Sequence, residues 1–242
     1  MVLGVRRSVA TARKMRRKEG GLRRTVRDTS LSLVMFGLFA LFLVAQSVTG
    51  FQVYNEEQRE RGGPEIGYPA YLRSGHFIQA TFENWESEYL QMAAYVLFTV
   101  FLFQRGSAES KDPDKEEPVD EDPREAQDRA DAPWPVRTGG IGLVLYEYSL
   151  TIALAVLFLL SFVLHAVGGA REYSDEQLAH GGQAVSTLEF LRTSDFWFQS
   201  FQNWQSEFLA MGSLAVLSIV LRQRGSPESK PVAAPHTETG TG

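Results

Sequence analysis

LSLVMFGLFALFLVAQSVTGFQV, running from Leu31 to Val53, contains no Asp, Glu, Lys or Arg. As a helix rising 1.5 Å per residue it matches the roughly 30 Å hydrocarbon core of a bilayer. LTIALAVLFLLSFVLHAV, from Leu150 to Val167, is a second run of the same kind. A soluble chain of 242 residues spreads its apolar residues at core periodicity, whereas here they are gathered in blocks that the average hydropathy conceals. Cysteine is absent, which excludes disulfides, thiolate metal sites and thiol nucleophiles.

Working outward, residues 30–111 align with 149–230 at a constant offset of 119, without a gap and with 31 of 82 positions identical. Phe82-Glu83-Asn84-Trp85-Glu86-Ser87-Glu88 returns as Phe201-Gln202-Asn203-Trp204-Gln205-Ser206-Glu207, and Gln104-Arg105-Gly106-Ser107 returns as Gln223-Arg224-Gly225-Ser226. The identities fall mostly in polar segments, where shared apolar composition does not force them. Each copy reads as an opening span, an excursion of helix formers ended by Gly62-Gly63 or Gly181-Gly182, a short helix, and a returning span. The short helix starts at Pro69 in one copy and at the capping box Ser186 to Glu189 in the other.

The expected architecture is an all-α membrane protein, four transmembrane helices arranged as two tandem, parallel-oriented helical hairpin repeats. Residues 1–29 form a basic cytoplasmic arm with ten Lys or Arg against Glu19 and Asp28. Repeat one occupies 30–111, with spans near 31–53 and 85–104. Residues 112–139 hold ten acids and five prolines and read as a disordered acidic linker. Repeat two occupies 140–230, with spans near 147–168 and 204–222, and 231–242 is a disordered tail. Arg105, Lys111, Arg222, Arg224 and Lys230 mark the ends of the second and fourth spans as cytoplasmic, so both termini lie inside. The apolar run after the arm is longer than a secretory h-region and no small-x-small site follows it, so Leu31 onward reads as a signal anchor. Anionic lipid explains the arm more cheaply than nucleic acid does, because the arm abuts a span.

The returning spans are short. Crossing the bilayer from Gln104 or Arg222 requires entry near Trp85 and Trp204, the interface anchors, and this leaves Glu88 and Glu207 below the outer surface. A carboxylate at that depth needs a protein partner. The candidate polar cluster is Gln46, Asn84, Glu88, His165, Asn203 and Glu207, with Glu88 expected opposite Gln46 and Glu207 opposite His165. Such groups either pin helices together or hold and pass a proton. His76 and Asp195 read as helix-start residues, and His180 has no companion at metal-ligand spacing. No catalytic motif is present, and no metal, cofactor or enzymatic activity is expected.

The motifs from Ser30 to Ser47, Tyr54 to Gln58, Phe82 to Glu88 and Gln104 to Lys111 resemble a family of uncharacterised bacterial inner-membrane proteins classed as a domain of unknown function. The resemblance covers roughly residues 22–111 and 140–230, and the arm before Leu22 looks like an extension. It implies a small multi-helix protein of the bacterial cytoplasmic membrane and no particular activity. The expected role is a structural or interaction component of the cell envelope, with lipid and a homo-oligomer or envelope protein as partners. The alternatives are a small-solute or proton permease using Glu88, Glu207 and His165, and a membrane enzyme.

Overall fold

A computed structural model describes residues 21–240, and every regular element among them is helical. Most of the basic arm, residues 1–20, lies outside the described residues, and with it most of the expected contact with anionic lipid. The chain divides into two compact units, the first ending at Tyr68 and the second beginning at Pro69.

In the first unit, α1 (Gly21–Asp28) leads into the 31-residue α2 (Ser30–Glu60). α2 runs past Val53 and stops where Gly62 takes φ +70°, a left-handed turn that glycine adopts without strain. There the Gly63 N–H donates to the Gln58 carbonyl at 2.8 Å and closes the last turn. The returning chain is tied back to the helix at two levels. The Asn55 amide brackets Ile66, donating to its carbonyl at 3.0 Å and accepting from its N–H at 2.9 Å. Ser47 shares a 2.6 Å hydrogen bond with the Tyr68 hydroxyl, and Phe51 meets the Tyr68 ring edge-on at 5.5 Å.

The four-residue α3 (Tyr68–Tyr71) follows. In the second unit α4 (Gly75–Phe98) starts at Ser74, whose hydroxyl caps the Phe77 N–H. Residues 112–139 carry 3-10 turns at Pro118–Asp120 and Pro123–Ala126 and the short α5 (Trp134–Thr138). α6 (Gly140–Glu147) leads into α7 (Ser149–Ala179), again 31 residues long. α8 (Thr187–Phe190) begins with a capping box between Ser186 and Glu189. The Ser186 N–H and hydroxyl hold the Glu189 carboxyl below its ordinary pKa. α9 (Ser194–Val220) is capped by Thr193. α2 and α7 are the two described helices long and apolar enough to cross a membrane.

α4 lies along α7 at a distance only glycine permits. A Cβ on Gly75 would stand 2.5 Å from the Glu172 nitrogen, and one on Gly168 would stand 2.7 Å from the Gln79 nitrogen. α8 is drawn onto α7 in the same way, with a Cβ on Gly169 falling 2.4 Å from the Phe190 ring. Ala166, Ala170, Phe190 and Phe196 form the apolar core at this end, and α9 packs against α4. At the other end of α9, the loop after α4 docks through Ser107, whose hydroxyl lies 2.9 Å from that of Ser218. The Lys230 ammonium is buried there and donates to the Gly106, His236 and Glu238 carbonyls.

Candidate functional site: a buried histidine and carboxylate between three helices

An ionisable side chain taken out of solvent needs partners close enough to replace its hydration. The tight crossing of α4 and α7 sets the following turns of α4 directly against His165. Its Nδ1 lies 2.7 Å from Glu86 Oε2, and both side chains are fully buried. The second Glu86 oxygen accepts from the indole N–H of Trp204 on α9 at 3.0 Å. On the far side of the ring, His165 Nε2 lies 3.1 Å from Gln199 Oε1, also on α9. Phe196 stacks on the imidazole with ring centroids 4.8 Å apart and closes the face. One residue of α4, one of α7 and three of α9 therefore converge on a single site.

With an oxygen facing each ring nitrogen, the cluster suits an imidazolium that donates twice. A half-turn of the Gln199 amide presents a donor to Nε2 and suits the neutral ring, so one amide rotation accommodates either state of charge. Glu83, one turn before Glu86 and only partly buried, places its Oε2 4.0 Å from Nε2. Among the described residues no group of three His, Asp or Glu is arranged to hold a metal ion.

The residues marked by the sequence are not all brought together. His165 is at the centre, but its carboxylate partner is Glu86 of α4, and Glu207 is half-buried elsewhere on α9. Glu88 is exposed. Asn84 and Asn203 each donate to their own helix, to the Ala80 and Gln199 carbonyls. Gln46 belongs to the first unit and is half-buried on α2. Trp85 meets Phe82 edge-on at 5.0 Å, one turn away on its own helix. Trp204, expected as a headgroup anchor, directs its indole N–H to Glu86. Glu86, Glu83, Gln199 and Phe196 do not stand out in the sequence. The signal that could find the central pair is complementary difference between the two stretches aligned at the 119-residue offset. Glu86 aligns with Gln205 and His165 with Gln46, leaving one acid and one base at non-identical positions.

A family model described as a domain of unknown function (DUF6766) matches residues 22–241. The chain belongs to this family. The matched region takes in all three helices that meet at His165, and the apolar α2. No curated protein and no solved structure matches the chain.

Proposed function

We propose that this chain is a four-span protein of the bacterial cytoplasmic membrane, built of two parallel hairpins, that serves as a structural or interaction component of the envelope and has no catalytic role. The inverted distribution of burial carries the reading. Glu86, Ser87, Gln91, Ser161, His165 and Ser200 are buried, while Phe36 at 72%, Phe198 at 69% and Leu209 at 68% are among many large apolar side chains left exposed. Water favours the reverse, by about 25 cal/mol for each Å² of apolar surface. Lipid is indifferent to the exposed apolar side chains and drives polar groups toward other helices. The pattern extends to α4 and α9, whose Met92, Leu97, Phe208 and Leu209 are exposed, and this favours four spans over two.

Element bounds support the duplication. Ser30–Glu60 and Ser149–Ala179, and likewise Tyr68–Tyr71 and Thr187–Phe190, stand at the 119-residue offset of the sequence identities. Ser174 brackets Val185 through its hydroxyl as Asn55 brackets Ile66. These ties hold the chain against the ends of α2 and α7, which suits display to an envelope partner or a second copy. Arg23, Arg24 and Arg27 on α1 would meet anionic headgroups where α2 begins.

The absence of cysteine allows a direct test. Single Glu56→Cys and Asp175→Cys variants should both react with an impermeant maleimide on intact cells, whereas Glu121→Cys should react only after permeabilisation. Labelling of Glu56→Cys and Asp175→Cys from opposite sides would sink the parallel arrangement.

One observation favours a second reading, in which the cluster handles protons: the partly exposed Glu83 places a second carboxylate 4.0 Å from His165 Nε2. In proteoliposomes with an internal pH dye, the scaffold reading expects no wild-type proton leak. A leak that disappears in Glu83→Gln would replace it with a permease.

A further inference from the structure

Where α4 ends and the chain turns toward Gln104, α4, the following loop and α9 border a cavity of about 250 Å³. Phe98, Leu102 and Phe103 give it aromatic and aliphatic walls, and Tyr95 and Glu109 are among its polar lining residues. The Tyr95 hydroxyl is shared between the Glu109 backbone carbonyl and Oε2, each 3.2 Å away. Glu109 Oε1 is buried and has no hydrogen-bond partner among the described residues. A buried carboxylate oxygen left unmatched is destabilising, and burial pushes the Glu109 carboxyl above its ordinary pKa. A cation in the cavity would relieve both.

We propose that this cavity binds a primary ammonium carried on an apolar chain, with the ammonium on Glu109 Oε1 and the chain against Phe98, Leu102 and Phe103. An ammonium has three donors and no acceptor. Glu109 Oε1 and the Tyr95 oxygen are acceptors on two neighbouring lining residues, and the aromatic walls favour a cation over a neutral head. The volume admits a head and its first few carbons and is too small for a drug-sized molecule. Two sources share this chemistry, an aminophospholipid and a free alkylamine. Only the lipid source rests on the membrane-spanning reading, since Gln104 would then lie at the cytoplasmic headgroup level.

The full chain is reconstituted in phosphatidylcholine nanodiscs containing a minor fraction of phosphatidylethanolamine, and co-retained lipid is read by mass spectrometry. Dodecylammonium and dodecanol binding are measured by calorimetry on the same protein. Selective retention of phosphatidylethanolamine assigns the lipid source, whereas tight dodecylammonium binding without it assigns a free amine. In either case Glu109→Gln should weaken binding about tenfold or more. Glu228→Gln removes an exposed charge near enough to act on Glu109 but no acceptor in the cavity, so it should weaken binding only about twofold. The dodecylammonium and dodecanol comparison needs no variant, so it decides the matter even if Glu109→Gln fails to fold. Equal binding of the amine and the alcohol by wild type, binding of neither amine nor aminophospholipid, or equal weakening by both variants overturns the proposal.

Discussion

Replacing Glu86 by Ala should cost about 3–5 kcal/mol of unfolding free energy, the range for removing one partner of a buried ion pair. The variant strands two donors at once, the His165 ring and the Trp204 indole, in a site with no solvent to replace the acceptor. His165→Ala should cost a similar amount, because Glu86 is then held only by Trp204. Trp204→Phe keeps an aromatic ring and loses one neutral donor, so a smaller loss of about 0.6–1.7 kcal/mol is expected. The informative variant is the pair Glu86→Leu with His165→Leu. A buried pair exchanged for apolar groups of similar volume is often neutral, so this double variant should be more stable than either single alanine variant. Unfolding in mixed micelles, followed by near-UV circular dichroism, measures the whole set. A double alanine variant whose loss equals the sum of the two single losses, within about 0.5 kcal/mol, would mean that the two side chains are not coupled.

The same pair marks the limit of what sequence alone discloses. Helix is legible because Leu31 to Val53 and Leu150 to Val167 are long apolar runs without proline, and each lies within a 31-residue helix. Local punctuation is legible because Gly62, Ser74, Thr193 and the Ser186 box act within a few residues. Assigning partners requires knowing which helices touch. Pairing α7 with the returning helix of its own copy makes Glu207 the natural partner of His165. α7 instead packs mainly on α4, through Gly75 and Gly168, and that crossing brings in Glu86. Neither glycine stands out in sequence, since Gly75 aligns with Ser194 and Gly168 with Thr49. Identity between copies points toward Glu88 and Glu207, but what two copies share need not be what joins them. The contact between α4 and α7 joins Glu86 and His165, which differ from Gln205 and Gln46 at the 119-residue offset. The cavity at Glu109 is hidden for another reason, because it depends on a loop turning back beside the end of α4, and no periodicity encodes that.

Gly168→Val should be strongly disruptive in the second unit. The atoms facing the missing Cβ are the Gln79 backbone nitrogen at 2.7 Å and the branched Ile78 side chain at 2.7 Å, and a peptide nitrogen inside a helix cannot swing aside. α4 and α7 would have to separate, and separation lengthens the 2.7 Å contact between His165 and Glu86. The expected cost is about 1–3 kcal/mol for overpacking, with loss of pair energy added to it. Gly212→Ala gives the opposite expectation within the same unit. Nothing lies within 4 Å of the Cβ position at Gly212, which sits inside α9, so alanine adds helix propensity without steric conflict. That substitution should stabilise by roughly 0.5–1 kcal/mol. Measuring both variants in one micelle series separates a packing effect from a general intolerance of glycine replacement. If Gly168→Val unfolds no more readily than wild type, α4 and α7 do not meet at this crossing, and the placement of Glu86 against His165 falls with it.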